Sequence, residues 1–308
     1  MIRILLTGAS GFIGNRLLRH LCNAGISVVA TGRTPVSGGG VHFLAIPRLN
    51  AKDLRSALQG QPIDALIHLA AAGVNPDDRD AQRLLEINGH LPVELTCLAR
   101  DLGARAFVMT GSSSEYAQID SEQIGEGASL ETAKTYGATK AAGGLLAVAI
   151  GLTLGLPTVN LRLFNVFGPG EASHRLLPSL FESLSMGRPV LLSEGLQQRD
   201  FIHVDDACAA ILAALNAALR GTLPTGHYNV CSGKGTSVRD FALSVASILG
   251  ADTGLLRFGA LPMRPDDVPR VVGAPDALGR ATGWKPTMTF SQAIKSAVDE
   301  MRQLTSHA

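Results

Sequence analysis

Tyr136 and Lys140 stand four residues apart in the run Tyr136-Gly137-Ala138-Thr139-Lys140. If the run is helical, both side chains leave one face, a turn apart, and an ammonium lies beside a phenol. The positive charge favours phenolate and draws down a phenol pKa that otherwise lies near ~10. A phenol tuned in this way can pass a proton to or from a sugar or alcohol oxygen at neutral pH. The same spacing also fits an ordinary exposed pair, so the chemistry depends on what faces it. Ala106 to Thr110 reads as a buried strand, and Gly111-Ser112-Ser113-Ser114-Glu115-Tyr116 leaves its carboxyl end. Ligands of open α/β sheets sit outside the carboxyl ends of the strands, so Ser112 and the Tyr136 helix can face one crevice.

A glycine loop precedes both. Thr7-Gly8-Ala9-Ser10-Gly11-Phe12-Ile13-Gly14 falls between an apolar strand, Ile2 to Leu6, and an amphipathic helix, Phe12 to Asn23. In a dinucleotide fold, Gly8 would allow the tight turn. Gly11 would let the backbone approach a pyrophosphate at the helix N-terminus, and Gly14 would let the helix pack closely on the sheet. The alternative is a tight turn with a small-residue contact. At the end of the next strand an acid would bond the ribose 2′-hydroxyl of NAD. Here the residues are Val29-Ala30-Thr31-Gly32-Arg33-Thr34, with Gly32 in the acid's place. The Arg33 guanidinium suits a 2′-phosphate, with Thr31 and Thr34 as further donors, so NADP(H) is expected before NAD(H).

The elements that must position these groups alternate. Ser27 to Ala30, Asp64 to Leu69, Ala106 to Thr110 and Thr158 to Leu163 read as buried strands. Asp53 to Leu58, Leu84 to Leu102 and the Tyr136 segment read as helices between them, and Ser37 to Gly40 as a flexible loop. That alternation predicts a doubly wound parallel α/β sheet of the Rossmann type, covered on both faces. After Asn165 prolines punctuate shorter segments, with a helix over Asp205 to Leu219 and a strand over His227 to Val230. The expected organisation is a dinucleotide domain, 1–168 with 200–231, and a smaller discontinuous α/β substrate domain, 169–199 with 232–308.

The 308 residues carry a formal net charge of +1, and 46% are apolar against 17% charged, which predicts a globular chain with a sizeable core. Near-neutral charge argues against a nucleic-acid groove or an anionic membrane surface. Cys22, Cys97, Cys208 and Cys231 are widely separated, and neither a metal site nor a disulfide framework is indicated. The apolar stretch Gly143 to Leu156 falls short of the ~20 residues that span a bilayer, and the start shows no signal-peptide layout, so no membrane partner and a cytoplasmic location are expected. In His203-Val204-Asp205-Asp206 one of the two acids is expected to cap the following helix. His68 is expected to pack or to bond backbone, and Trp284 to anchor the C-terminal segment.

Taken in order, these motifs resemble the extended short-chain dehydrogenase/reductase family, within it the NAD(P)-dependent enzymes of nucleotide-diphosphate sugars. The resemblance runs on through Asp64 to Ala71, Asn88, Leu161 to Pro169, Arg199 to Asp206, Tyr228-Asn229-Val230, Arg264-Pro265-x-Asp267 and Gly283 to Pro286. It implies that Ser112 bonds the reacting oxygen, that Tyr136 is the acid/base, and that Lys140 tunes it and holds the nicotinamide ribose. It implies a cofactor site of Gly8, Ser10, Gly11, Phe12, Ile13, Gly14, Arg33, Leu69, Ala70, Ala71 and Asn88, with Tyr136 and Lys140. Asn165, Arg199 and Arg264 would bind the substrate diphosphate, beside Ser113 and Ser114. A homodimer through the helices at Leu84 to Leu102 and Tyr136 to Leu156 is implied too, although the apolar face of the second could equally pack on the sheet.

Departures from the family pattern narrow the activity. Its dehydratases carry Asp-Glu directly after the catalytic Ser/Thr, where this chain has Ser113-Ser114. The glycine usual after Tyr116 is Ala117. No Asp-hydrophobic pair for the adenine follows the third strand near Ala45-Ile46-Pro47, and the segment Gly73 to Arg83 is short. The expectation is NADPH-dependent reduction of a 4-keto-6-deoxy sugar nucleotide. A nucleotide-sugar epimerase is the alternative, and a catalytically silent nucleotide sensor is disfavoured by the intact Ser112, Tyr136 and Lys140.

Overall fold

Each segment read as a buried strand becomes a strand of one sheet. The computed structural model describes residues 2–75, 78, 80–264 and 267–306. In chain order come β1 (Arg3–Thr7), α1 (Phe12–Asn23), β2 (Ser27–Gly32), β3 (Val41–Ala45), α2 (Ala51–Leu58) and β4 (Ala65–His68). Helix α3 (Ala81–Leu84) runs through a π-helical turn (Leu85–His90) into α4 (Leu91–Asp101), where the sequence predicts one long helix. β5 (Ala106–Ser112), α5 (Thr135–Leu154), β6 (Thr158–Leu163) and β7 (Asn165–Phe167) follow.

The second half has α6 (Leu176–Ser185), β8 (Val190–Leu191), β9 (Gln198–Arg199), β10 (Phe201–His203), α7 (Val204–Leu219), β11 (Gly226–Val230) and β12 (Thr236–Ser237). It ends with α8 (Val238–Leu249), β13 (Leu256–Arg257), β14 (Arg270–Val271), α9 (Asp276–Thr282) and α10 (Phe290–Ser306).

Seven parallel strands pair in the order β11-β6-β5-β4-β1-β2-β3. Alternate side chains enter two cores. Ile4, Leu6, Ile67 and Val108 meet Leu17, Leu21, Ala207 and Ile211 on one face. Leu5, Leu66 and Phe107 meet Leu54, Leu95 and Leu98 on the other. Because both faces are covered, the strands read as continuous apolar runs. Edge strand β3 is only partly buried, so its apolar signal is weak, and the sequence marks no more than its end near Ala45.

Helix α5 carries glycines every seventh residue, at 137, 144 and 151. A Cβ at these positions would fall 2.1 Å from the Ser114 carbonyl oxygen, 2.4 Å from Asn160 Nδ2 and 2.2 Å from Thr158 Oγ1. The helix therefore lies hard against the serine turn and β6. It starts earlier than its apolar stretch suggests, and its 20 residues meet the length and composition of a membrane span, which corrects the reading from Gly143 to Leu156. Half of it is buried inside the fold, as in a core helix.

A third core joins α6, α8 and α10 around Phe167 and Phe241, whose rings stand 5.2 Å apart edge to face. This is the smaller unit. One stretch departs from the expected division: Leu278 of α9 and Trp284 pack into the core of the large sheet. Asp206 holds the next turn by accepting from Thr287 N at 2.9 Å and Thr287 Oγ1 at 2.7 Å.

Candidate active site

The sheet order reverses between β1 and β4, and a cavity of about 770 Å³ opens at their carboxyl ends. Gly8, Ser10, Gly11, Phe12, Ile13, Gly14, Arg33, Leu69, Ala70 and Ala71 all line it. Gly8 adopts φ +79°, and a Cβ there would lie 2.6 Å from Ala70 N, so the two loops meet backbone to backbone. A Cβ at Gly14 would lie 2.0 Å from the Gly8 carbonyl oxygen. Gly14 thus clears the loop's own backbone rather than the sheet. Helix α1 begins without a side-chain cap, leaving its first N–H groups and its dipole to an anion in the cavity.

Three expected cofactor residues lie elsewhere. Asn88 is buried behind the wall, accepting from Ala72 N and donating to Ala72 O, both at 3.0 Å, so it fixes the loop after β4 instead of lining the cavity. Lys140 is buried and lines neither cavity, and its Nζ donates to the Thr110 carbonyl oxygen at 2.6 Å. Tyr136 faces the second cavity. The sequence reading did not include Arg48, which lines the first cavity together with Ile46 and Pro47. Its signal was present: it directly follows the place searched for an adenine-binding pair. Thr31, also at the wall, has a buried hydroxyl without a hydrogen-bond partner. This open donor and the uncapped helix start fit a dinucleotide with an anionic centre and a polar ribose.

The second cavity, about 680 Å³, is lined by Ser113, Ser114, Tyr136, Asn165 and Arg199 among others. Ser112 Oγ accepts from Ser114 N at 3.1 Å, which leaves the hydroxyl proton to be donated. Two tyrosines border this region, and the structure separates their roles. Tyr116 is buried, its hydroxyl donates to Asn229 Oδ1 at 2.6 Å, and burial pushes its pKa up to about 12. It is held as a neutral phenol within the fold, whereas the half-buried Tyr136 reaches the cavity.

Of the three diphosphate candidates, Arg199 lines the cavity but is bound by Asp267 and by the carbonyl oxygens of Gln198 and Val268, at 2.8 and 2.7 Å. Arg264 is exposed and does not line the cavity; Arg270 of β14 does, and its partners, the Glu122 carbonyl oxygen at 2.9 Å and Gln198 Oε1, are neutral, whereas Arg199 is paired with a carboxylate. β14 pairs with β9, which carries Arg270 to the wall that the Arg264-Pro265-x-Asp267 motif was expected to supply. Pro265 and residues 76, 77 and 79 of the short segment lie outside the described residues.

A match to the NAD dependent epimerase/dehydratase family spans residues 4–231, most of the chain, with all of the first cavity and part of the second. The chain belongs to this family. It is similar to the GDP-6-deoxy-D-mannose reductase of Pseudomonas aeruginosa, at 28% identity over 97% of this chain and 96% of that protein. It is 26% identical to a probable UDP-glucuronate 4-epimerase of Rhizobium meliloti, over 97% of this chain and 96% of the relative. Among solved structures, MoeE5 in complex with UDP-glucose and NAD superposes with a TM-score of 0.86 at 26% identity, covering 98% of this chain and 99% of that one. The protein is thus an enzyme of the extended short-chain dehydrogenase type, in a family of NAD-dependent nucleotide-sugar reductases, epimerases and dehydratases.

Within this family framework, two local expectations change. His203, not Asp205 or Asp206, caps α7, its Nδ1 accepting from Asp205 N at 3.2 Å. Asp205 instead binds Arg16 at 2.5 and 2.6 Å and His20 at 2.8 Å, because the first-turn carboxylates point at α1 and the C-terminal segment. His68 bonds a side chain, the Thr7 hydroxyl at 2.7 Å, and burial followed by the Lys140 charge pushes its pKa down to about 3, so it is neutral. Glu115 and Arg162 were quoted within motifs but given no role. Ser112-x-x-Glu115 has the spacing of a capping box, and that was the signal that marked Glu115.

Proposed function

We propose that the enzyme uses NADPH to reduce the keto group of a 4-keto-6-deoxy sugar nucleotide. The observation that carries this reading is the end of the first cavity beside β2 and β3. Gly32 stands where an NAD-selecting carboxylate would be, and the guanidiniums of Arg33 and Arg48 line the same wall. Backbone N–H groups from Gly8 to Gly14 would hold the pyrophosphate, and Arg33 the 2′-phosphate. When bound, the nicotinamide supplies the hydride.

The chain's own residues supply position and a proton. Tyr136 gives its phenolic proton to the carbonyl oxygen. Ser112 donates a hydrogen bond to that oxygen, and the Lys140 ammonium, anchored on Thr110, favours the phenolate left behind. Ser113 and Ser114 have neither an acid nor a base for eliminating water, which weighs against a 4,6-dehydratase. Arg270 and Asn165 are suited to the substrate diphosphate.

The test is NADPH absorbance in the presence of 4-keto-6-deoxy hexoses linked to GDP, CDP, UDP or dTDP. Stoichiometric loss is expected. Interconversion of two sugar nucleotides without net loss would make the enzyme an epimerase, a reading favoured by its similarity to the 4-epimerase. Arg33→Ala should weaken NADPH about 10- to 100-fold, the worth of a charged hydrogen bond, and leave NADH nearly unchanged. Equal losses for the two cofactors would overturn the preference. We also infer a homodimer through α4 and α5, since Leu145, Leu146 and Leu152 are 45%, 49% and 64% exposed on the outer face of α5. A sedimentation mass of one protomer would refute it.

A further inference from the structure

We propose that Glu115 is a positioning residue of the proton-transfer site, the buried anion that shapes the Ser112 turn and balances the Lys140 ammonium. The proposal rests on the reading of Tyr136 and Lys140 as the proton-transfer pair. Glu115 is fully enclosed. Its Oε1 accepts from Ser112 N at 3.0 Å, while Ser112 Oγ caps the same turn, so carboxylate and serine close it reciprocally. Its Oε2 accepts from Arg162 Nε at 2.7 Å, and Asn160 Nδ2 lies 3.2 Å away. The backbone is cut away around these groups. A Cβ at Gly111 would fall 2.1 Å from Oε1, and one at Gly144 only 2.4 Å from Asn160 Nδ2.

A role confined to holding the fold together would need only the Arg162 pair. Arg162 of β6 pairs with this carboxylate directly, and Lys140 of α5 comes up beside it: Nζ bonds the carbonyl oxygen of Thr110, next to Gly111, and a Cβ at Gly144, one turn along α5 from Lys140, would lie 3.6 Å from Glu115 Oε2. Burial pushes the Glu115 pKa up, and the Arg162 and Lys140 charges oppose that rise. Lys140 is 4% exposed, and its hydrogen bond is to a neutral carbonyl. A buried ammonium without an anion costs several kcal/mol, and the group responds by losing its proton. Burial lowers the Lys140 pKa, and the Glu115 charge opposes that fall. Among the described residues, the other groups around the cluster bring no second anion to Lys140. His68 of β4 and His227 of β11 are held neutral by burial, with pKa values pushed down to about 3 and about 4. Tyr136 is on the same helix, and Tyr116 and Arg162 lie beyond Glu115. The charge that tunes Tyr136 is therefore maintained by Glu115.

Glu115→Gln keeps the shape and an oxygen for Ser112 N–H while removing the charge. The readout is kcat/KM against pH with NADPH and a GDP-linked 4-keto-6-deoxy hexose. Without its anion Lys140 loses its proton at lower pH, so the alkaline limb should move down by about one unit or more, with NADPH affinity unchanged. Parallel profiles, lowered by one factor at every pH, would mean a purely structural Glu115 and overturn the proposal. Melting temperatures give a second test that needs no activity. The Glu115→Gln/Lys140→Met double variant should melt higher than Glu115→Gln alone, because it removes the unbalanced ammonium; an equal or lower value overturns the proposal. Tyr136→Phe is measured alongside. If it still turns over, the proton-transfer reading itself fails. If it is inactive while the Glu115→Gln profile stays parallel to wild type, only the role of Glu115 fails.

Discussion

The two cavities are built in opposite ways. The first is built around a backbone loop: the loops after β1 and β4 meet where Gly8 has no side chain, and Gly11 and Gly14 clear that loop's own backbone. The second is mostly side chains drawn from distant segments: the serine turn after β5, the start of α5, Asn165, Arg199 and Arg270. A backbone cradle depends on a few glycines, whereas a side-chain cradle changes with each arginine that moves. On the function proposed above, the first takes the cofactor and the second sets substrate choice.

Breaking the backbone half should have the largest effect. Gly8→Ala forces a Cβ into the left-handed region at φ +79° and against Ala70 N. That costs about 1 kcal/mol or more in backbone strain alone. Titration should show NADPH binding lost by more than about tenfold; near-native affinity would break the contrast between the cavities. The side-chain half is sharpened by two arginines. Arg270→Ala should raise the substrate KM about tenfold or more, the loss of one charged hydrogen bond, while exposed Arg264→Ala changes it less than about twofold. The reverse ranking would return the diphosphate to Arg264.

The smallest effect is on stability. His68, buried beneath the first cavity, has a pKa near 3 against 6.5 for the free group. A depressed histidine contributes stability that is present above the unfolded pKa and lost as pH falls from 6.5 toward 3. The fall in melting temperature over that window should therefore be shallower in His68→Gln, by about 5–7 °C. Identical slopes would show that other groups carry the acid sensitivity.

What could be read along the chain was whatever is encoded within about one element. Period and apolar runs located six of the seven strands of the large sheet, with α1 and β6 correct to their ends, and none of the short strands outside it. The glycine loop, the Tyr136–Lys140 spacing and the missing acid at Gly32 marked the site because turns, helix faces and strand ends are local geometry. What could not be read depended on register and packing between remote segments. The pairing of β14 with β9 brings Arg270 rather than Arg264 to the second cavity. The contact of α1 with α7 takes Asp205 for Arg16 and leaves the cap to His203. The close approach of α5 to β5 and β6 encloses the Glu115 carboxylate against Arg162 and buries Lys140 on the Thr110 carbonyl oxygen. A side chain's partner there is chosen by charge and volume across many residues of intervening chain, and neighbouring residues in the sequence do not encode that choice. Tyr136 and Lys140 were recognisable as a pair from their spacing; that Lys140 and Glu115 are both enclosed follows from how the sheet and helix close around them.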